Sequence, residues 1–520
     1  MSTNTITQPV NHQLQAVIPE RYAIGWKAAL VCGLFVLMFL YFGYQPVSSP
    51  AIWNSVASGT TELQSTELLP LAEGIRHIDL APVGNRLIAT LYQAGGIDLL
   101  SFSFTAIVIA SLLFLASTFI HLTGRTSSAL ACIAIAVLCL PLLNGLTPRI
   151  LGWFLLCVLA FCLSRQTYRK SDQTVCLKLR KSSIGYRIGI VVLFAVWANI
   201  DSSFVIGMVW LGCFAVARFI TALQKFGLRR SVADRELHHR IWLLEFAALA
   251  TLATPNGIGL WKSVFWWPDN PVASSLGGFS PTVLASWSGA AIIIVWAIAF
   301  AVSHRRTVHL EWLLPPIVMT IASAFCSSLV FWFVPITAFL VGAVIGKPVN
   351  ATKKPTRVSE STEQQSGLRF GFTLVAGLLI WVGISMSPWS GYVLGGKTRT
   401  EAQLTAGQFP VGVSKHLRNQ KADAMLFCPA HWSDWAQVQF GVPVFINADE
   451  SRQADSVLSD YRLIYRGESN WKHIAQKYAL KQMLVDRKKQ SRLARRMRQD
   501  PGQWRLQYED DNVLFLTTES

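Results

Sequence analysis

Charge is what this chain has least of. Only 14% of its 520 residues are Asp, Glu, Lys or Arg, 52% are hydrophobic and mean hydropathy is +0.38. A soluble domain carries about 25% charged residues. The deficit is concentrated in residues 24–390, and beyond them the chain reads as an ordinary soluble sequence. That pattern predicts one membrane domain followed by one small soluble domain.

Other absences narrow the chemistry. There is no P-loop, GxGxxG, HExxH or GxSxG, which disfavours nucleotide-driven and serine-hydrolase mechanisms. There is no CxxC and no Cys/His metal spacing. Seven of nine cysteines (Cys32, Cys132, Cys139, Cys157, Cys162, Cys213, Cys326) lie in apolar runs, where free cysteine acts as a small hydrophobe. The C-terminal region holds one cysteine, Cys428, and therefore no internal disulfide. Aromatic-basic interleaving suited to nucleic acid is also missing. The net charge of +17 is accounted for by basic loops between apolar spans, so no nucleic-acid partner is expected.

What is present is a series of apolar runs, best seen in Val191–Ala217. Two runs flank the polar break Asn199-Ile200-Asp201-Ser202-Ser203. A free backbone and a carboxylate are both costly in lipid, so such a break belongs at a membrane surface or in a protein-lined wet cavity. Residues 1–23 are polar. Ile24–Tyr44 is long enough to span and too long for a signal-peptide core. Residues 45–100 form a long polar loop with Glu62, Glu67, Glu73, Arg76, His77, Asp79, Arg86 and Asp98. Within it, Leu63–Ile75 and Arg86–Tyr92 read as short helices, the second ending at Gly95-Gly96.

Further spans are expected near 102–121, 129–143, 149–164, 188–199, 203–222, 241–254, 283–302 and 370–388. Leu310–Ile345 is 36 residues with one charge, Glu311. At about 1.5 Å per residue it makes two helices with a turn near Ser327-Ser328. Thr254-Pro255-Asn256-Gly257 is a turn signal, followed by Trp261, Trp266 and Trp267, which read as an interfacial belt or as the lining of a sugar or lipid groove.

With eleven spans, the loops 165–187, 224–240, 304–309 and 347–369 share one side and hold 7, 5, 2 and 5 Lys/Arg, while loop 45–100 opposite them holds only Arg76 and Arg86. The bias places the N-terminus in the cytoplasm and residues 389–520 outside the plasma (inner) membrane. There Ala424–Cys428, Val442–Ile446 and Lys481–Val485 read as strands. Trp471–Tyr478 and Gln490–Gln499 read as helices, and Trp504–Tyr508 with Val513–Leu516 as a hairpin around Asp510-Asp511-Asn512. The whole predicts an α-helical polytopic membrane protein with a small α/β domain at its C-terminus.

Several segments, taken in order, resemble bacterial multi-span proteins of the GT-C type, the lipid-linked-sugar glycosyltransferase-like superfamily. Trp197-Ala198-Asn199 with Phe204 and Gly207 is similar to a W-x-N-x-H-G-x-F-x-x-G pattern. Thr147-Pro148-Arg149 resembles an R-P pair before a span, and Ala253-Thr254-Pro255-Asn256-Gly257 an N-P-x-G turn. Phe409-Pro410-Val411, Trp432-Ser433-Asp434-Trp435, Val444–Asp449, Trp471 with Tyr478, and Tyr508-Glu509-Asp510 add C-terminal counterparts. The chain departs from the pattern in two places. Gly43–Thr61 has no acidic residue, with Trp53 followed by Asn54 rather than His, and Asp201 and Ser202 stand for the His and Gly of the hairpin.

The resemblance implies a cell-envelope glycosyltransferase-like protein using a polyprenyl-phosphate sugar. Such transfer needs a base for the acceptor hydroxyl, cationic or metal help for the leaving phosphate, which leaves room for a divalent cation, and a cleft open to lipid. The candidate bases are Asp201, Glu62, Glu67, Glu73 and Asp79. Asp201 also reads as a cap for the next helix, and the loop carboxylates as solvated charges. Arg149 and Arg86 lie on the side that cytoplasmic charge bias does not explain, and Arg forks suit phosphate oxygens. Arg149 also reads as an interfacial snorkel. His77, Asn199 and Trp197 complete the candidate substrate contacts. A second reading is a non-enzymatic scaffold or assembly subunit that binds a protein partner through its C-terminal domain. A transporter is third, because the spans carry few buried charges.

Overall fold

The computed structural model describes residues 24–60, 68–72, 79–169, 175–177, 183–265, 281–304, 308–345, 362–395, 399–405, 407–418, 424–448, 453–499 and 502–518. Its membrane part is a bundle of helices α1 (Trp26–Tyr44), α2 (Pro50–Gly59), α3 (Pro82–Thr123), α4 (Ala131–Cys139), α5 (Pro148–Arg165), α6 (Ile184–Ile200), α7 (Phe204–Val232), α8 (Arg235–Ala250), α9 (Ile258–Phe265), α10 (Trp287–Ser303), α11 (Leu310–Phe325), α12 (Val330–Ile345) and α13 (Thr362–Ser385). A short antiparallel hairpin, β1 (Thr167–Arg169) and β2 (Val175–Leu177), follows α5. Helices fall at all eleven expected spans, and Ser327–Leu329 forms the turn between α11 and α12. Among the described residues five helices are apolar and long enough to cross a membrane by length and composition, and five shorter helices are also apolar.

The helices begin where the sequence supplies caps. Pro50, Pro82 and Pro148 open α2, α3 and α5 at positions where a missing N–H costs nothing. Ser183, Asp234 and Ser286 accept bonds from the first-turn amides of α6, α8 and α10. Large side chains on these helices, among them Leu37, Ile294, Phe300, Phe325 and Trp381, are exposed. Water would penalise that surface and lipid does not. The chain is a polytopic membrane protein.

The expected break at Gly95-Gly96 divides α3. Gly95 has φ −155° and ψ 21°, and Gly96 has φ 62° and ψ −155°, the latter in a region that favours a residue without a Cβ. The first arm of α3 carries Arg86 and Tyr92, and the second is the span. The expected helix over Leu63–Ile75 lies mostly outside the described residues, within which only Pro70–Ala72 forms a single turn.

The C-terminal domain is α/β. Strands β3 (Leu426–Phe427), β4 (Gln482–Asp486), β5 (Trp504–Glu509) and β6 (Val513–Thr518) form one sheet in the order β3-β4-β6-β5, with β3 parallel to β4 and the other pairs antiparallel. Its helices include α14 (Ala430–Phe440), α15 (Asp455–Tyr465), α16 (Trp471–Lys477) and α17 (Ser491–Gln499). Val442–Ile446, expected as a strand, makes one parallel bridge from Val444 to Leu426. Trp432-Ser433-Asp434-Trp435 lies in α14, and both indoles are buried.

The first loop is part of this domain's core. Trp53 on α2 is 1% exposed and packs edge-on against Tyr92 and Phe409, in one cluster with Val413, Trp435 and Phe515. The Val47 amide donates to Leu404 O at 2.7 Å and the Val444 amide to Leu68 O at 3.2 Å. Arg399 donates to Gly43 O and pairs with Asp98 at 3.6 Å, while the Tyr392 hydroxyl donates to the same Asp98 carboxylate. Segments more than 290 positions apart thus close one end of the bundle.

Candidate functional site

Asp201 occupies the turn between α6 and α7. α6 ends at Ile200, whose neighbour turns extended at φ −160°, and α7 starts at Phe204. The carboxylate bends back over the start of α7, and its Oδ2 accepts from the Ser203 amide at 3.0 Å. The Trp197 indole, stacked on Phe194 and fully buried, donates through Nε1 to Ser203 Oγ at 3.0 Å. Gly152 of α5 closes the other side: a Cβ there would lie 2.3 Å from Ser203 Oγ, 2.7 Å from Asp201 Oδ2 and 3.2 Å from Trp197 Nε1. Only a glycine lets α5 approach the turn this closely.

Arg149 lies one turn before Gly152, in the first turn of α5, and is half-buried. Burial pushes the Asp201 carboxyl above its ordinary range. The Ser203 hydroxyl and amide, the Arg149 charge and the Ser202 amide oppose that shift. The arrangement is a carboxylate with a nearby guanidinium, held by a helix start and shielded from bulk water. It can take up a proton or hold a cationic partner.

A second polar seam adjoins it. Gly84 of α3 packs on the end of α6, so that a Cβ there would lie 2.3 Å from Ile200 O. One residue on, Asn85 donates to Asp79 Oδ1 at 3.1 Å, and the Ala81 amide donates to the same oxygen at 2.9 Å. Asn256, in the turn after α8, donates to Asp79 O at 2.6 Å. Asn199 donates to Ala195 O and across to Ala253 O, both at 2.8 Å. The ends of α6 and α8 and the start of α3 are stitched together at the end of the bundle that carries α2 and the C-terminal domain.

The structure therefore brings Asp201, Trp197 and Asn199 into one neighbourhood, joins Arg149 to Asp201 electrostatically, and sets Asp79 on the adjoining seam. Asp79 holds the approach to α3 through the Ala81 amide and the Asn85 side chain, Asn199 staples two helices, and Trp197 braces the α7 start. Arg86 stands on the exposed face of the first arm of α3, away from the buried seam of Gly84 and Asn85. Glu62, Glu67, Glu73 and His77, with Trp266 and Trp267, lie outside the described residues. Among the described residues no three His, Cys, Asp or Glu side chains group to hold a metal. Sequence reasoning passed over Gly152, Ser203, Asn85 and the Asp98–Arg399 pair. The signal for Gly152 was its i+3 spacing from Arg149, which puts both on one face of α5.

No protein-family model matches the chain, and no curated protein matches its sequence. Solved structures do match in fold. The oligosaccharyltransferase of Archaeoglobus fulgidus superposes with a TM-score of 0.52 at 10% identity, over 89% of this chain and 69% of that one. ArnT from Cupriavidus metallidurans superposes with a TM-score of 0.51 at 10% identity, over 94% of this chain and 97% of that one. The second match takes in the C-terminal domain together with the bundle. The fold of this chain is GT-C-like.

Proposed function

We propose that the protein is a membrane glycosyltransferase that takes a sugar from a polyprenyl-phosphate carrier on the extracytoplasmic face of the plasma membrane. The observation that carries this reading is Asp201: a shielded carboxylate, electrostatically coupled to Arg149, where α5, α6 and α7 meet in a GT-C-like bundle. Asp201 accepts the proton of the acceptor hydroxyl. The acceptor oxygen bonds to the anomeric carbon, the bond from that carbon to the phosphate oxygen breaks, and the lipid phosphate leaves with the electron pair. Arg149 offers its planar fork to the leaving phosphate. Asp79 holds the start of α3 and positions the rim. The outer face is supported by the distribution of basic loops.

A second reading has its own support. Oδ2 of Asp201 is already engaged by the Ser203 amide, as in a helix cap, which suits a scaffold that binds a partner through the C-terminal domain. Transfer assays with polyprenyl-phosphate sugars separate the two. Asp201→Asn keeps the cap and removes the base, and is expected to lower transfer by at least about 100-fold. Arg149→Gln lowers transfer, Glu62→Gln tests the first loop, and Asp79→Asn retains most activity. Full activity in Asp201→Asn overturns the base assignment. No transfer by the parent protein, together with a stoichiometric co-purifying partner, favours the scaffold.

A further inference from the structure

We propose that the opposite end of the bundle carries a binding site for an anionic glycerophospholipid. A cavity of about 330 Å³ opens there between α3, α4, α10 and α12. Its lining follows α12 from Val334 to Ile345, which at 1.5 Å rise is about 16 Å. That is half of a roughly 30 Å hydrocarbon core, the depth of one leaflet. The polar lining groups, Thr123, Arg125, Ser127 and Ser128, gather at one end, and the rest of the lining is apolar. The shape is that of an amphiphile: one acyl chain long, with a headgroup site at the mouth.

Chemistry at the mouth selects the headgroup. Thr123 Oγ1 donates to Ser128 Oγ at 2.8 Å, and both hydroxyls also bond backbone carbonyls of the turn, so they shape it. The Arg125 guanidinium and the Ser127 hydroxyl have no partner among the described residues. Arg125 is the one charge among the described residues of the lining. A guanidinium with free donors pairs with phosphate, and a net negative headgroup leaves no ammonium to repel it. A lone exposed arginine at a membrane surface is explained by snorkelling. What marks a ligand here is the chain-sized cavity directly beneath it, kept open by Ala131, Ala134 and Ala338. The site is remote from Asp201 and independent of the transferase reading.

The test uses the full chain in detergent with phosphatidylglycerol and phosphatidylethanolamine of identical chains, and reads bound lipid by native mass spectrometry. The parent protein is expected to retain one phosphatidylglycerol with about fivefold preference, the factor one basic residue contributes near an anionic headgroup. Arg125→Gln, at an exposed position, removes that preference without changing the unfolding temperature. Ala338→Phe fills the groove and removes retention of both lipids. Equal retention of the two lipids by the parent, or undiminished preference in Arg125→Gln, overturns the site. So does stronger retention of a polyprenyl phosphate than of phosphatidylglycerol.

Discussion

Gly152 and Asp201 meet across the junction of α5 with the α6–α7 turn, so closely that a methyl group on Gly152 would lie 2.7 Å from the carboxylate and 2.3 Å from Ser203 Oγ. Ser203 can rotate away only by giving up its bond from the Trp197 indole. Gly152→Ala is therefore expected to destabilise the protein by about 1–3 kcal/mol and to lower transfer by displacing Asp201. Gly212 on α7 is the control, since a Cβ there meets nothing within 4 Å. Gly212→Ala is expected to leave stability unchanged or raise it by about 0.5–1 kcal/mol. Thermal unfolding of both variants in one detergent checks the contrast, and equal effects would remove the claim of close approach.

Trp53 ties the first loop to the C-terminal domain. Its indole is buried against Tyr92 and Phe409, so Trp53→Ala leaves a cavity at the joint and is expected to cost about 3–5 kcal/mol. The loss is local to that joint. Limited proteolysis should release the region beyond residue 389 faster in the variant than in the parent, while the bundle stays intact. Unchanged cleavage would mean that the helix at Pro50–Gly59 contributes little to docking.

The spans were legible because apolar length alone sets them, and the Asn199–Ser203 break and the Ser327-Ser328 turn were visible as polar interruptions. The C-terminal strand β5 showed because its residues alternate, and β4 and β6 because each is a short apolar run bounded by polar residues, with a turn between the last two. α14 escaped notice: its face is buried by Trp432 and Trp435 against segments distant in sequence, and eleven residues of mixed polarity carry no clean period. For the candidate site, Asp201 stood out as an ionisable group at a span end. Its cap bond, its glycine neighbour and the bonds Asp79 makes at the start of α3 depend on how three helix ends converge, which no local pattern encodes.

Arg240 and Glu311, 71 positions apart, form an ion pair inside the bundle that no local pattern joins. Arg240 is 3% exposed and Glu311 7%. The guanidinium contacts both carboxylate oxygens, at 3.2 and 3.3 Å, and also donates to Phe214 O and Leu177 O. Glu311→Leu leaves the buried guanidinium with only the longer carboxylate contact to Glu236, at 3.6 Å, so it is expected to cost up to about 3 kcal/mol, with part of that loss recovered in the Arg240→Met/Glu311→Leu double variant. A double-mutant cycle on unfolding midpoints measures the coupling. Additive losses would show that the pair is not a unit.

His431 gives the C-terminal domain an acid-sensitive element. It begins α14 beside the turn that follows β4, with Lys489 Nζ 3.3 Å and Asp486 Oδ2 3.8 Å from its Nε2. Burial and the Lys489 charge push its pKa down to about 4, against the opposing pull of Asp486. The folded protein thus keeps the ring neutral at pH values where the unfolded chain, with an ordinary value near 6.5, binds a proton. Between those two values the unfolded state holds more protons, and stability must fall as pH falls. The stabilisation is complete above about pH 6.5 and is lost as pH drops through the folded value. His431→Gln removes the titration. Its unfolding midpoint should therefore decline less than the parent's from pH 7 to pH 4, with the two curves parallel above neutrality. Parallel curves across the whole range would place the acid sensitivity elsewhere.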